Sequence, residues 1–219
     1  MKYAMPVDPR VLERDFESHR LISQIPRLTA TLKSLKTKEG YAPYNHEFSE
    51  ILHLLWFSIN EGTGVNLRDR EKLYPLFNEL GRLFGVGYYP FAYRGVRLSR
   101  WDGSAISETY PNLGIGETVI PNEPRILEHL EGLAYGLRSW SQRLDGAENW
   151  AYNKSTARDK VIFKIHNPDV VLDANEYLNI NKINQPFDWD ELILFIQNPQ
   201  ILSIQKASKN SYIVTIKDN

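Results

Sequence analysis

The spacing of apolar residues changes near residue 87, and this change constrains the fold more than any other feature of the sequence. Six apolar residues before this point are spaced i, i+3, i+4, i+7, i+10 and i+11, at Leu73, Leu76, Phe77, Leu80, Leu83 and Phe84. This spacing predicts one apolar helix face, with the helix ending at Gly85 and Gly87. Further helices are predicted over the first forty residues and over Phe48–Ile59.

After residue 87, short β-branched and aromatic segments predominate and predict strands. The predicted strands are Pro90–Val96, Leu137–Ser141, Val161–Ile165, Glu191–Ile196, Ile201–Gln205 and Tyr212–Lys217. Helices are predicted over Arg125–Tyr135 and from Asp145. The polar stretch 166–190 is too long for an ordinary connection and is therefore a candidate functional loop.

This order of elements predicts an α+β protein, with helices first and a mostly antiparallel strand assembly after them. No linker separates the two parts. We therefore expect a single domain over residues 1–219, with a helical part at 1–87 and a β-rich core at 88–219.

Composition excludes several classes of protein. With 26 Lys and Arg against 27 Asp and Glu, the net charge of -1 does not favour a protein that coats duplex nucleic acid. The absence of cysteine excludes disulfide frameworks, thiolate nucleophiles and zinc fingers. No apolar run approaches the roughly 20 residues that a membrane span needs, and the first residues carry no apolar signal core, so we expect a cytoplasmic protein without a membrane partner.

Three short motifs on predicted strands carry candidate chemistry. Arg94 lies within an apolar strand and therefore needs an anionic partner. Ser139 and Ser141 share one strand face, while Trp140 points to the other. Glu191 begins an apolar strand directly after the long polar stretch, where a carboxylate is placed for chemistry or for an ion pair with Arg94.

The order of these motifs resembles the mono-ADP-ribosyltransferases of the Arg–Ser–Glu type, a group that includes clostridial binary toxins and the transferases of T-even phages. The similarity covers roughly residues 50–217, and Val65–Arg68 resembles the Asn-x-x-Arg stretch that often precedes the Tyr-Arg-Gly strand of this family. The resemblance implies N-terminal helices packed on a mostly antiparallel split β-sandwich. It also implies transfer of ADP-ribose from NAD to a macromolecule, with release of nicotinamide and without a metal.

The resemblance implies a role for each motif residue. Arg94, with Gly95 beside it, would hold the phosphates of NAD, and Ser139 would hold the nicotinamide ribose. Ser141 would orient the catalytic carboxylate, and Glu191 would be that carboxylate. Such a carboxylate also suits the chemistry itself, because cleavage of the nicotinamide–ribose bond passes through an oxocarbenium-like state.

Two loops complete the implied site. Residues 151–160 would contact NAD, with Tyr152 stacking on a ring and Arg158 contacting the pyrophosphate. Residues 175–190 would recognise the acceptor.

The chain departs from the family pattern at Trp189. Arginine-modifying members carry a second glutamate two residues before the catalytic one, and an indole cannot replace it, because it only donates a hydrogen bond. Arginine is therefore an unexpected acceptor unless Asp188 or Asp190 substitutes. Trp189 could instead stack on a planar acceptor.

Three alternatives remain open from the sequence. The acceptor could be RNA or DNA, although the near-neutral charge favours a protein. The chain could be an inactive module of the same fold that binds a partner through its N-terminal helices. Arg94 and Glu191 could form a buried structural ion pair. Small size and the lack of a signal segment favour a phage-encoded or bacterial intracellular effector.

Overall fold

The chain consists of two units, Met1–Gly85 and Val86–Asn219. The structure, a computed structural model, describes residues 9–38, 41, 51, 71–98, 105–152, 159–175 and 190–219. The division between the units lies two residues before the predicted start of the β-rich core. None of the helices in these ranges is long and apolar enough to cross a membrane.

The first unit contains the helix that the apolar spacing predicts. Helix α1 comprises Pro9–Ser34, and helix α2 comprises Tyr74–Phe84 after a 3-10 turn at Glu71–Leu73. Helix α2 ends at Gly85, whose positive φ of 84° suits glycine, as predicted. The helix predicted over Phe48–Ile59 lies outside the described residues, apart from Ile51, which is helical and buried.

Helices α1 and α2 are joined by an arginine. The Arg82 guanidinium donates hydrogen bonds to the carbonyl oxygens of Leu32 and Leu35, both at 3.1 Å. These carbonyls lie at the C-terminal end of α1 and one residue beyond it, where the backbone acceptors of a helix need partners from outside the helix.

The second unit contains one sheet of eight strands. In chain order they are β1 Phe91–Leu98, β2 Thr118–Val119, β3 Gly136–Ser141, β4 Asp159–His166, β5 Val170–Asp173, β6 Glu191–Ile196, β7 Pro199–Ser208 and β8 Ser211–Asp218. Their order across the sheet is β2-β7-β8-β4-β1-β3-β6-β5. The β4–β8 pair is parallel and the other pairs are antiparallel, so the predicted α+β class with a mostly antiparallel sheet is confirmed.

Strand β5 corrects the prediction that residues 166–190 form one long loop. Val170 and Leu172 are buried, and the strand pairs with β6 from Val170 to Asp173. Its apolar run, Val170 to Leu172, is shorter than the run of about four or more residues that indicates a buried strand, and it lies within a polar stretch.

Three helices accompany the sheet: α3 Ile106–Thr109, α4 Pro124–Ala134 and α5 Leu144–Tyr152. Helix α4 buries Ile126, Leu130 and Ala134, four residues apart, in the main core with Trp140. A second, smaller cluster contains Ala147 and Ala151 of α5, Ile162 of β4 and the partly buried Tyr93 of β1.

The sheet opens between β1 and β3. Strand β1 pairs with β4 along its whole length, and β3 pairs with β6 along its whole length. Between β1 and β3, in contrast, the described register consists of the pair Tyr93–Ser141 alone. The two parts of the sheet therefore diverge just beyond this pair, and the residues beside the opening are those that the motifs single out.

Candidate functional site

Ser141 brings the three sequence motifs to one end of the sheet. It is paired with Tyr93 of β1 on one side and with Glu191 of β6 on the other. Residues that lie about fifty positions apart in the sequence are therefore neighbours across three adjacent strands.

Arg94 extends across the opening between β1 and β3. Its Nη1 donates a hydrogen bond of 3.0 Å to the carbonyl oxygen of Ser139. The side chain is only 8% exposed, so this contact provides part of the hydrogen bonding that a buried guanidinium requires. The pairing of β1 with β3 does not continue to Ser139. The carbonyl oxygen of Ser139 instead accepts a hydrogen bond from the Arg94 side chain.

Glu191 lies on the other side of Ser139. The Ser139 hydroxyl donates a hydrogen bond to Glu191 Oε2. Ser139 is paired with Ile193, so Glu191, two residues before Ile193, lies diagonally across from Ser139 on the same sheet face. The carboxyl group is 7% exposed and begins a strand whose next residues, Leu192 to Leu194, are buried.

Ser139 therefore connects the guanidinium and the carboxylate. It accepts from Arg94 through its carbonyl oxygen and donates to Glu191 through its hydroxyl. Alternation along β1 places Arg94 on the sheet face of Ala92 and Leu98, which are in the main core, so the two charged groups approach Ser139 from different directions.

Ser141 makes a different contact from the one that the resemblance implies. Its Oγ accepts a hydrogen bond of 3.1 Å from the backbone N–H of Arg143. This bond to the residue two positions later is a common serine turn, and it lies just before α5 begins. The serine whose hydroxyl is bound to the Glu191 carboxylate is Ser139, and the role of Ser141 toward that carboxylate stays a prediction.

Gly95 has a packing role. A Cβ atom at this position would lie 2.0 Å from the carbonyl oxygen of Ala147 and 2.9 Å from the backbone nitrogen of Ala151. Helix α5 therefore rests directly on the backbone of β1, an approach that only glycine allows. Whether Gly95 also contacts NAD stays a prediction.

Asp190 is held by two contacts from the turn between β3 and α5. Its carbonyl oxygen accepts a hydrogen bond of 2.8 Å from the Gln142 N–H, and its Oδ2 lies 3.4 Å from Arg143 Nε. Arg143 also forms hydrogen bonds to both carboxylate oxygens of Asp145, at 3.0 and 2.6 Å. The hydrogen bond from Arg143 is the main cause that holds the pKa of Asp145 below its usual value.

Sequence reasoning missed Arg143 because its partner Asp190 is far away in the sequence, directly before β6. The one local signal was the spacing of Arg143 and Asp145, two residues apart before a predicted helix.

Sequence reasoning also missed Asp173, at the end of β5. The Tyr89 hydroxyl donates to Asp173 Oδ2, and the N–H of Asn175 donates to Asp173 Oδ1 at 2.9 Å. Asp173 is paired with Leu192, one residue after Glu191. These hydrogen bonds hold the C-terminal end of β5 in place.

No family model matches the chain, and the search of curated proteins gives no match. Two solved structures are similar to it. One is the transferase Vis in complex with an inhibitor, with 12% identity, a TM-score of 0.35, and coverage of 96% of this chain and 76% of that one. The other is HopU1 of Pseudomonas syringae pv. tomato, with 14% identity, a TM-score of 0.36, and coverage of 78% of this chain and 65% of that one. Both are ADP-ribosyltransferases.

TM-scores below 0.5 do not establish which residues correspond, so the roles of individual side chains have to come from the geometry of this chain. The chain spans 76% of the length of Vis and less than two thirds of the length of HopU1.

The contacts described above do not include the remaining predicted site residues. Arg158, Asp188 and Trp189 lie outside the described residues, and Tyr152 is described only as the last residue of α5. Within the described ranges, no group of three or more His, Asp or Glu residues is placed to hold a metal ion.

Proposed function

We propose that the chain is a mono-ADP-ribosyltransferase, which transfers ADP-ribose from NAD to a protein and releases nicotinamide. The observation that carries this proposal is the link through Ser139 between the buried guanidinium of Arg94 and the buried carboxylate of Glu191.

The charges of this pair suit two adjoining parts of the NAD molecule, the pyrophosphate and the nicotinamide ribose. A guanidinium presents a planar fork of donors that matches phosphate oxygens, so Arg94 would bind the pyrophosphate. A carboxylate stabilises positive charge on a ribose ring, so Glu191 would lie beside the nicotinamide ribose. The Ser139 hydroxyl donates a hydrogen bond to one carboxylate oxygen of Glu191 and thereby fixes the orientation of the carboxylate.

The reaction breaks the bond between ribose C1′ and the nicotinamide nitrogen, and the bonding electrons leave with neutral nicotinamide. A nucleophilic atom of the acceptor protein forms the new bond to C1′ and releases its proton to the solvent. Glu191 stabilises the cationic ribose between these events and can accept a hydrogen bond from the 2′-hydroxyl.

The test is nicotinamide release from NAD by the purified chain, with and without a bacterial cell extract as a source of acceptor. We expect Glu191→Gln to lower the rate by about 10²–10³-fold, as for other groups that stabilise developing charge. The matched control is Glu128→Gln, the same change at an exposed position on α4. No release by the wild-type chain, or a full rate in Glu191→Gln, would refute the proposal and favour an inactive binding module.

A second experiment identifies the acceptor class. The chain is incubated with the extract and a tagged NAD, and the labelled products are treated with protease or with nuclease. We expect protease to remove the macromolecular label and nuclease to leave it. Label lost to nuclease alone would show an RNA or DNA acceptor, which the near-neutral charge of the chain does not favour.

A further inference from the structure

Arg143 is fixed at the mouth of the candidate site by Asp145. Its Nε and Nη2 lie 3.0 and 2.6 Å from the two carboxylate oxygens of Asp145, which is the paired geometry of a guanidinium on a carboxylate. The backbone N–H of Arg143 is bound to the Ser141 hydroxyl at 3.1 Å. Backbone and side chain are thus both held, although the side chain is 61% exposed.

The guanidinium of Arg143 also lies beside Asp190. Its Nε is 3.4 Å from Asp190 Oδ2, within the distance of an ion pair. The Gln142 N–H bond to the Asp190 carbonyl holds the backbone of Asp190 against the same turn. The acidic residue directly before Glu191 is therefore already paired with a guanidinium of the same chain.

This pairing has a consequence for acceptors that approach Glu191. A cationic acceptor such as an arginine side chain needs a carboxylate partner near the reacting carbon, and Asp190 is the described acidic residue adjacent to Glu191 in the sequence. Such an acceptor would have to displace Arg143 from Asp190 or share the carboxylate with it, and in either position it would meet a like charge, which disfavours it. A neutral nucleophile meets neither obstacle.

We propose that Arg143 is a specificity-determining residue that excludes guanidinium acceptors from Asp190 and directs transfer to neutral nucleophiles, such as hydroxyl or amide groups. This inference rests on the proposed function, because it concerns the acceptor of the same reaction.

The experiment uses the full chain with NAD and agmatine, a small guanidine. The quantity measured is the ratio of ADP-ribosyl-agmatine formed to nicotinamide released, which corrects for any change in overall turnover. We expect a low ratio in the wild-type chain and a ratio about fivefold higher in Arg143→Gln, the upper end for the loss of an exposed ion pair. Arg143→Lys keeps the positive charge and should stay near the wild-type ratio.

Two further variants complete the design. Arg125→Gln, the same change at an exposed arginine of α4, should leave the ratio unchanged. Arg143→Gln combined with Asp190→Asn should lose the gain, because the carboxylate that would receive agmatine is then absent.

The possible results separate this inference from the proposed function. A high ratio in the wild-type chain overturns the role of Arg143 whether or not the variants fold. Nicotinamide release with the same ratio in wild type and folded Arg143→Gln also overturns it, and leaves the proposed function intact. Absence of nicotinamide release from the wild-type chain overturns both.

Discussion

Replacement of Gly95 by alanine adds one methyl group at the point where α5 rests on β1. The new Cβ would lie 2.0 Å from the Ala147 carbonyl oxygen and 2.9 Å from the Ala151 nitrogen. Both neighbours are backbone atoms of one helix, so no side-chain rotation can relieve the overlap.

The size of the effect follows from these distances. Non-bonded atoms pack best at about 3.5–4.0 Å, so α5 would have to move by about 1 Å or more from β1. Such a shift would loosen the small cluster of Ala147, Ala151 and Ile162. Insertion of a methyl group into a packed core costs about 1–3 kcal/mol, and the double backbone contact places Gly95→Ala at the upper end. For a chain of this size, about 3 kcal/mol lowers Tm by roughly 6–12 °C.

The assay is thermal and urea unfolding in the absence of NAD, so that a lost NAD contact cannot contribute. The matched control is Gly132→Ala within α4. Its Cβ would meet no atom within 4 Å, and alanine is the better helix former by about 1 kcal/mol. The same chemical change should therefore lower stability at Gly95 and raise it slightly at Gly132.

A free energy of unfolding for Gly95→Ala within about 0.5 kcal/mol of the wild-type value would refute this reasoning. It would mean that α5 does not lie directly on β1. Reduced nicotinamide release with unchanged stability would instead indicate that Gly95 acts on NAD, as the sequence motif implies.

Two other predictions follow from the contacts around the sheet. Ser139→Ala removes the hydroxyl bound to Glu191 and should lower nicotinamide release by about tenfold or more, since a hydrogen bond to a charged group contributes about 1.5–3 kcal/mol. Ser141→Ala should mainly lower the free energy of unfolding, by about 1 kcal/mol, because it removes only the bond to the Arg143 N–H. A larger loss of nicotinamide release in Ser141→Ala than in Ser139→Ala would contradict the contacts assigned to the two serines. Burial, and then the negative charge of Asp159, raise the pKa of Tyr212 above its ordinary value of 10.0. The folded state therefore favours the protonated tyrosine, and this contribution to stability is full below about pH 10 and is lost as pH rises through the folded pKa. Urea unfolding between about pH 8 and pH 11 should show a steeper alkaline loss in the wild-type chain than in Tyr212→Phe, and equal slopes would contradict it.

Local patterns predicted most elements of the described fold. The spacing at residues 73–84, the helix at 125–135 and the strand from Glu191 to Ile196 all match the structure within one or two residues. These elements have strong patterns because one face, or both, is buried. Strand β5 was missed because its apolar run of three residues is too short to be recognised in a polar stretch.

For the site, the sequence indicated which residues were candidates but not how they pair. The alternation of Ser139, Trp140 and Ser141 predicted that Trp140 faces away from the two serines, and in the structure Trp140 is 1% exposed in the main core. Alternation alone places both serines on the same strand face and does not show which of them contacts Glu191. The diagonal offset between β3 and β6 distinguishes them, because it places the Ser139 hydroxyl on Glu191.

By itself, the sequence determined the class of the fold, the ends of its strong elements, and the presence of a buried arginine, a serine pair and a glutamate at the head of an apolar strand. Only the tertiary structure decided that β1 and β3 diverge beyond Tyr93, that Ser139 connects Arg94 with Glu191, and that Arg143 is paired with Asp190. The physical reason is that periodicity reports which side of its own element a residue occupies. Contacts between strands depend on neighbour order and register, which are set by packing between segments far apart in the chain.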